Sequence, residues 1–329
     1  MSSIKDVAQL ANVSISTVSL AYNQPSRVSP QTRAAIFAAA KELGFVPSGH
    51  QDARLKENAV VFVLSGVMEA HIQTIQGMRD TCQILGLNLI PMMFPPGREA
   101  GLYSAVEAAI RQRHVAGIIF AGEGIPTLVR AAEESGVPVV FFMRHFTDPN
   151  AAEIQLNNKK IGTDMAAHFI KNGYAFPAVI GGPADHPRIT GFTEGLARAG
   201  LSIYDENGWM DAAVRVDSCE QAYDFVSGVL FTQSNLPDAV FCFTDMIALG
   251  ALSALQVYGV RVPEDVALAG CEDIDISALT TPQITSFRMP RYEQGVQATM
   301  LLNRMIKGRP SERIFLNCKL VERDSTRRK

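Results

Sequence analysis

Two kinds of apolar pattern divide this chain near residue 58. Beyond it, short runs of β-branched and other apolar residues recur, each typical of a buried strand in a parallel sheet. These runs are NAVVFVLSG (58–66), LNLIPMMF (87–94), VAGIIFAG (115–122), VPVVFFM (137–143), FPAVIGG (176–182), DAVFCFTD (238–245) and DVALAGC (265–271). Segments with helical spacing lie between them, at 101–113, 126–135, 160–171, 217–230 and 246–258. This alternation predicts βαβ units in parallel sheets that helices cover on both faces.

The stretch QLNNKKIG, near residues 155–162, separates two comparable halves of this pattern. The chain has 329 residues, of which 47% are hydrophobic and 19% are charged, as is typical of a folded globular protein. Because one core rarely grows past roughly 250 residues, we expect two similar α/β subdomains rather than one large sheet.

The N-terminal 45 residues show helical spacing instead. Ser3 is the predicted N-cap of a first helix. Ile4, Val7 and Ala8 fall on one face of that helix. The short segment NVS then makes a turn, so that a second helix begins only a few residues later.

Two more helices are predicted in this region. Ser14 is the expected cap of the second, over 15–22, and Val18 and Ala21 should pack on Ala8 of the first. The third lies in SPQTRAAIFAAAKELG (29–44), with a serine cap and proline at the first helical position. Two helices that cross closely at small alanines are typical of a helix-turn-helix, although three-helix bundles that do not bind DNA share the pattern.

The outward positions of the second helix favour DNA binding. They carry no charge and would make a poor solvated surface, whereas hydroxyls can bond base edges or phosphates and apolar side chains can touch thymine methyl groups. The predicted contact residues on this helix are Ile15, Ser16, Thr17, Ser19 and Leu20. Neighbouring residues are expected to contact the DNA backbone: Ser3, Lys5, Asn23, Arg27 and Arg33.

The charge distribution is compatible with this interpretation. The whole chain has a formal net charge of -3, which argues against coating nucleic acid or membrane by bulk charge. Residues 1–56 contain six Lys or Arg against three Asp or Glu, so that this part is about +3. The positive charge is thus concentrated where DNA contact is expected.

Motifs along the whole chain resemble those of LacI/GalR-family transcription regulators. The N-terminal stretch IKDVAQLANVSISTVSLAYN, followed by RVSPQTRAAIFAAAKELGFVPS, is similar to that family's DNA-binding unit position for position. The later matches are GIIFAGE, VPVVFFMR, LNNKKIG, IGGPADHPRITGF, FTDMIALGAL, GVRVPEDVALAGCEDI and ERDST. Any one of these motifs is weak evidence, but their combination and order are specific.

The resemblance implies an α/β fold with an N-terminal helix-turn-helix three-helix headpiece and two periplasmic-binding-protein-like parallel α/β subdomains joined by three crossovers. The implied regions are the headpiece (1–47), a hinge (48–57), an N-subdomain (about 58–157 and 289–316) and a C-subdomain (about 158–288 and 317–329). It also implies a homodimer on a pseudo-palindromic double-stranded DNA operator. A small metabolite between the subdomains would tune DNA affinity.

Two regions depart from the family pattern and change what we expect of DNA binding. Leu20 stands where the family often has Arg or His to read guanine, so we expect a different operator half-site. The hinge GHQDARLKEN carries Asp52 before Ala-Arg-Leu, with the family spacing shifted by one. Leu55 is the candidate wedge for the minor groove; the alternative is a plain linker leucine.

The resemblance also assigns a ligand site. Arg188 in RITGF and Asp245 in FTD match the family's effector-binding arginine and aspartate. Both side chains suit sugar hydroxyls through charge-assisted hydrogen bonds, unless they pair with each other. Further candidates for the site wall are Met143, Val214, Trp209, Phe142 and His71, although His71 could equally be a surface-loop residue. A carbohydrate is the expected effector; a nucleoside or another metabolite, or no effector, are the alternatives.

Two other classes of protein are considered. An enzyme is disfavoured because GxGxxG, GxxxxGK[ST], GxSxG and HExxH motifs are missing, so no cofactor or metal is expected. A secreted solute-binding protein would share the two-subdomain fold, but the added headpiece and the lack of a signal peptide count against it. Five dispersed cysteines without a CxxC pair, and no membrane-length apolar segment, favour a cytoplasmic protein.

Overall fold

The computed structural model describes most of the chain. The described residues are 4–23, 27–43, 58–65, 71–94, 100–112, 114–122, 125–142, 151–205, 209, 213, 215–232 and 235–328. Several predictions fall outside them, namely those for Ser3, the hinge 48–57 with Leu55, Met143 and Val214. Among the described residues, no helix is long and apolar enough to cross a membrane.

Three helices form the headpiece: α1 (Ile4–Leu10), α2 (Ile15–Asn23) and α3 (Pro30–Glu42). Helix α2 begins after Ser14, whose Oγ accepts the amide of Thr17 at 3.1 Å. Helix α3 begins after Ser29, whose Oγ accepts the amide of Thr32 at 3.1 Å. The predicted serine caps of these two helices are therefore confirmed, and each satisfies an amide that the helix leaves unpaired.

Small apolar side chains hold the headpiece together. Its core consists of Val7, Ala8, Val18, Ala21, Val28, Ile36, Ala39 and Ala40. In the turn between α1 and α2, Asn12 adopts φ 50°, and the amide of Val13 donates to the carbonyl of Ala8 at 2.9 Å. The predicted close packing of Val18 and Ala21 with Ala8 is present in this core.

The chain as a whole divides into two compact units. The first comprises Met1–Glu153, which includes the headpiece, and Gly295–Glu312; the second comprises Ile154–Gln294 and Arg313–Lys329. The chain therefore passes between the units three times.

The first unit contains a four-strand parallel arrangement in the order β2-β1-β3-β4. Its strands are β1 (Ala59–Ser65), β2 (Asn88–Phe94), β3 (Gly117–Ala121) and β4 (Val139–Phe142). The helices that follow the first three strands are α4 (Ile72–Leu85), α5 (Ala100–Arg111) and α6 (Pro126–Ser135). Strand β3 is fully buried, as expected for a parallel strand covered on both faces.

The second unit is built on the parallel strands β6-β7-β8 and the antiparallel pair β9-β11. The strands are β5 (Glu153–Leu156), β6 (Pro177–Ile180), β7 (Ala239–Cys242), β8 (Ala267–Ala269), β9 (Ser286–Arg288), β10 (Arg313–Leu316) and β11 (Lys319–Val321). The helices are α7 (Asn158–Lys171), α8 (Pro187–Ala197), α9 (Cys219–Phe231) and α10 (Asp245–Val257), and α11 (Arg291–Ile306) leads back to the first unit.

The predicted α/β class is confirmed, and all seven predicted strands are present. Strands β5, β9, β10 and β11 were not predicted. Each has only three or four residues, so its pairing depends on partners distant in sequence.

Candidate functional site

Five residues of α2 are predicted to contact DNA. We call them the outward face: Ile15, Ser16, Thr17, Ser19 and Leu20. Ile15 is 44% exposed and Ser16 is also exposed. Thr17, Ser19 and Leu20 are partly buried, and Leu20 packs against the headpiece core. The outward face is thus uncharged and combines one well-exposed apolar side chain with small hydroxyls.

Two hydroxyls of the outward face already have partners. The Oγ of Ser14 lies 2.7 Å from the Oγ of Ser16 and 2.7 Å from the Oγ1 of Thr17. Ser14 therefore links the helix cap to two predicted contact residues, which fixes the start of α2. A base contact by Ser16 would have to share its hydroxyl with this cap.

The headpiece also carries cationic residues. Lys5 and Arg27 are exposed, and Arg33 is partly buried. Asn23 ends α2, but its side chain is outside the described atoms. The described headpiece therefore has both exposed cations and an uncharged helix face, the two features that phosphate positioning and base contact require.

A second group of polar residues follows the strands β6, β7 and β8, and we call it the polar edge: Arg188, Asp245 and Glu272. Arg188 lies in the first turn of α8, Asp245 begins α10, and Glu272 comes three residues after β8 ends. Because the three strands are parallel, their carboxyl ends share one edge of the sheet. This is where open α/β sheets bind ligands.

Close helix packing positions Arg188. A Cβ on Gly162 of α7 would lie 2.0 Å from the carbonyl oxygen of Arg188, and one on Gly191 of α8 would lie 2.3 Å from that of Lys159. Only glycine permits this approach of α7 and α8. His186 caps α8, because its Nδ1 accepts the amide of Arg188 at 3.1 Å.

The guanidinium of Arg188 is buried, with only 5% of the residue exposed. Its Nη1 donates to the carbonyl of Phe243 at 2.5 Å, and its Nη2 donates to the Oδ1 of Asn158 at 3.0 Å. The guanidinium also lies 4.4 Å from the centroid of the Phe243 ring. The Nε of Arg188 has no hydrogen-bond acceptor in the described part of the chain. One buried donor thus lacks a partner, which is costly unless a ligand or water supplies an acceptor.

Asp245 is 0% exposed, and its carboxylate is held by the protein itself. It accepts the amide of Ile274 at 2.9 Å and the hydroxyls of Ser277 and Ser286 at 2.8 and 2.6 Å. Burial raises the pKa of Asp245, and these hydrogen bonds oppose that shift. Three of roughly four acceptor positions are used, so a ligand contact by Asp245 is restricted to what remains.

The alternative that Arg188 and Asp245 pair with each other is not what the structure shows. Within the described residues, no ion pair joins them. Each instead bonds to neutral groups, so that the positive charge of Arg188 remains available to a ligand.

Glu272 and its neighbour Asp273 were not predicted from the sequence as site residues. They adopt φ 130° and 53°, in a region that residues other than glycine rarely occupy. The Asp273 carboxylate bonds to Arg288 at 2.6 Å and to Arg323 at 2.5 Å. An acidic pair directly after a buried strand was the only signal available in the sequence, and it is equally typical of a solvated loop.

Three other predicted wall residues, Trp209, Phe142 and His71, are described within their own units. Trp209 is a core residue of the second unit: its Nε1 donates to the carbonyl of Val179 at 3.0 Å, and its ring packs edge-on against Tyr204 and Phe225. This placement gives no support to a ligand-stacking role. Phe142 is buried in the first unit, where the ring of His71 lies 5.9 Å from it.

Two family models match regions of the chain that contain the outward face and the polar edge. A family model described as bacterial regulatory proteins, lacI family, matches residues 3–48, and a periplasmic binding protein-like domain model matches residues 166–326. The HTH-type transcriptional repressor PurR of Aliivibrio fischeri (strain MJ11) is 30% identical, over 95% of this chain and 94% of that protein. The chain belongs to the LacI family. It is therefore a DNA-binding transcriptional regulator.

Other LacI-family proteins match over nearly the full length. The HTH-type transcriptional repressor CytR of Escherichia coli (strain K12) is 27% identical, over 98% of this chain and 96% of that protein. The solved structure of a transcriptional regulator CelR-cellobiose complex has a TM-score of 0.69 and 26% identity, over 99% of this chain and 100% of that one. A lac repressor dimer bound to operator has a TM-score of 0.66 at 23% identity, which shows the shared fold.

Proposed function

We propose that this LacI-family regulator is a repressor that binds a pseudo-palindromic operator as a homodimer and that a small polar metabolite at the polar edge controls its DNA affinity. The observation that supports a ligand at the polar edge is the buried Nε–H of Arg188, which has no hydrogen-bond acceptor in the described part of the chain. Operator binding is supported by the family membership together with the uncharged outward face of α2. PurR and CytR are named repressors, which is the basis for repression here.

The operator half-site should be read mainly by apolar contact. Ile15 is the most exposed residue of the outward face that can reach a thymine methyl group, and Leu20 cannot donate a hydrogen bond to guanine. Ser16 shares its hydroxyl with Ser14, so we assign it a smaller share of base recognition. Ser19 and Thr17 complete the proposed contact set.

Selection from random duplexes with the full-length protein tests this assignment. We expect an inverted repeat, because two-fold symmetry imposes one. Leu20→Ala or Ile15→Ala should change the preferred base by about 1–3 kcal/mol. Arg27→Ala, the control, should weaken all sequences alike, since a phosphate contact carries no base information. Recovery of direct repeats only, or of no enriched site, would contradict the proposal.

For the hinge we propose that Leu55 inserts into the minor groove at the operator centre. The support is the resemblance of ARL to the family hinge, and the plain linker leucine is the competing interpretation. Leu55→Ala should weaken specific binding and reduce DNA bending, with non-specific binding almost unchanged. An equal loss in both kinds of binding would favour the linker.

For the effector we propose a carbohydrate. A guanidinium and nearby carboxylates form charge-assisted hydrogen bonds with hydroxyls, and the similar CelR structure contains cellobiose. Nucleosides are the second candidate, because their sugar hydroxyls can form the same charge-assisted hydrogen bonds. A thermal-shift screen of sugars, sugar phosphates and nucleosides distinguishes them, since a ligand selective for the folded state raises the Tm. A Tm raised by nucleosides only would overturn the carbohydrate assignment.

We also propose that the protein is not an enzyme and acts in the cytoplasm, where bacterial DNA lies. The support is that its named relatives are transcriptional repressors. Retardation of operator DNA by the full chain separates this function from that of a solute-binding protein, which would leave the DNA unshifted. We also propose that the hinge and the subdomains have the boundaries that the resemblance implies.

A further inference from the structure

The loop that follows β8, residues 270–274, has a backbone conformation that its residues do not favour, and we call it the β8 loop. Glu272 and Asp273 have φ values of 130° and 53°, which are rare for residues other than glycine. Such conformations cost energy and persist only where the surrounding structure imposes them. Contacts outside the loop must therefore hold it in place.

The β8 loop is bonded to Asp245 of the polar edge. The amide of Ile274 donates to the Asp245 carboxylate at 2.9 Å, and the amide of Asp245 donates to the carbonyl of Cys271 at 3.0 Å. The hydroxyl of Ser286 donates to Asp245 at 2.6 Å and accepts the amide of Asp273 at 3.0 Å. A displacement of the loop would therefore remove hydrogen bonds from the buried carboxylate of Asp245.

Two arginines bind the carboxylate of Asp273, but only one of these ion pairs is buried. The Nη2 of Arg323 lies 2.5 Å from its Oδ1, and the Nε of Arg288 lies 2.6 Å from its Oδ2. The side chain of Arg323 is 11% exposed, whereas that of Arg288 is 60% exposed. An exposed ion pair contributes little, but loss of one partner from a buried pair leaves a buried charge poorly compensated. Arg323 is therefore the stronger anchor of the β8 loop.

The segment that carries Arg323 is itself fixed to the sheet. The Nη1 of Arg323 donates to the carbonyl of Ile284 at 2.6 Å, and its backbone amide donates to the Oγ1 of Thr285 at 2.9 Å. The Oγ of Ser325 donates to the carbonyl of Leu268 at 2.5 Å and accepts the amide of Thr285 at 2.8 Å. Arg323 thus holds the loop from a segment that is bonded to β8 and to the residues before β9.

We propose, on the basis of the ligand site proposed above, that Arg323 is a positioning residue for that site. Through Asp273 it holds the β8 loop in the conformation that keeps Asp245 bonded, and it acts without touching the ligand. The planar guanidinium donates to Asp273 and to Ile284 at once, a geometry that the single nitrogen of lysine does not reproduce. Without Arg323 the loop relaxes, and ordering it again on binding costs affinity.

Hydrogen exchange of the full-length protein tests the positioning role without any ligand. The variant is Arg323→Ala, and the matched control is Arg288→Ala, which removes the exposed ion pair to the same carboxylate. We expect the amides of Asp273 and Ile274 to lose protection in Arg323→Ala and to retain it in Arg288→Ala. Wild-type exchange in Arg323→Ala, or an equal loss of protection in both variants, would overturn the inference.

Calorimetry with cellobiose, glucose and ribose tests the consequence for ligand binding. The sugar that binds wild type most tightly should bind Arg323→Ala roughly 10-fold more weakly, since ordering the loop costs binding free energy. Arg323→Lys should recover part of the affinity, and Arg288→Ala should bind like wild type. Wild-type affinity in Arg323→Ala would overturn the inference.

A further control separates positioning from stability. Thr326→Val removes a hydroxyl that lies 2.8 Å from the Nε2 of His168, near the C-terminal end of α7, whereas Asn158, which contacts Arg188, is the first residue of that helix. We expect Thr326→Val to lower the Tm and to leave the calorimetric affinity unchanged. If both Thr326→Val and Arg323→Ala lose affinity in proportion to their loss of Tm, Arg323 acts on stability alone and the inference fails.

The outcomes also separate this inference from the ligand site on which it rests. Wild-type affinity in Arg323→Ala, with loss of binding in Arg188→Ala, would refute only the role of Arg323. If none of the three sugars binds wild type, the carbohydrate assignment fails, and hydrogen exchange alone decides whether Arg323 positions the β8 loop.

Discussion

The outward face of α2 and the polar edge of the second unit are both polar, but they differ in what they leave unsatisfied. On α2 the hydroxyls of Ser16 and Thr17 already bond to Ser14, and the face is at the surface. At the polar edge, the buried Nε of Arg188 lacks an acceptor within the described chain. Since an unsatisfied buried group is costly, the polar edge should gain far more than α2 from a bound molecule.

The two surfaces are formed in different ways. The outward face depends on local sequence: a capped helix and a row of small side chains suffice to form it. The polar edge depends on the tertiary structure, because its three residues follow different strands and Arg188 is positioned by helix packing around Gly162. Substitutions should therefore affect the two surfaces separately.

The largest effect is expected for Gly162→Ala. The added Cβ would lie 2.0 Å from the carbonyl oxygen of Arg188 and 2.5 Å from the amide nitrogen of Phe192, so α7 and α8 must separate. We expect a loss of roughly 3 kcal/mol or more in the free energy of unfolding, together with loss of ligand binding. Urea unfolding measures it.

The matched control for that variant is Gly228→Ala. Gly228 lies inside α9, and a Cβ there would meet nothing within 4 Å. Alanine should stabilise this helix by about 0.5–1 kcal/mol. If Gly162→Ala is as stable as wild type, close helix packing does not position Arg188.

A smaller effect is expected for Ser14→Ala in the headpiece. The substitution removes the acceptor for the amide of Thr17 and releases the hydroxyls of Ser16 and Thr17. Loss of such a cap costs about 1 kcal/mol. Hydrogen exchange in α2 should accelerate, whereas the exposed control Gln31→Ala should leave it unchanged. Unaltered exchange in Ser14→Ala would mean that the cap does not order the outward face.

The smallest effect concerns pH and the C-terminal segment of the second unit. His168 is buried, its Nε2 lies 2.8 Å from the Oγ1 of Thr326, and burial lowers its pKa below the ordinary 6.5. The unfolded chain therefore binds a proton before the folded one does. The contribution of His168 to the free energy of unfolding should be constant above about pH 6.5 and fall as the pH drops below it.

His168→Gln should remove this contribution to the pH dependence, because glutamine does not titrate. The exposed His114 provides the control, since His114→Gln should leave the fall below pH 6.5 in place. Thermal unfolding between pH 5 and 8 measures both variants. An identical pH dependence in wild type and His168→Gln would contradict the burial argument.

The same comparison explains what the sequence could predict. Local patterns identified the caps of α2 and α3, the headpiece core and all seven long apolar strands, because each depends on residues close in sequence. Glu272 was missed because its backbone conformation arises only when β8 and β9 meet. Trp209 was proposed as a wall residue, but the sequence does not reveal that its Nε1 bonds to Val179 in the core.

We expect that substitutions can separate ligand binding at the polar edge from DNA contact by α2. The direct measurement is operator affinity, by fluorescence anisotropy, of wild type and Arg188→Ala with and without the sugar that stabilises wild type. We predict that the ligand-free affinities agree and that only wild type responds to the sugar, by no more than the differential affinity of the sugar for the two states. Unfolding is measured in parallel to confirm that the variant is folded. A wild-type response in folded Arg188→Ala would contradict the account.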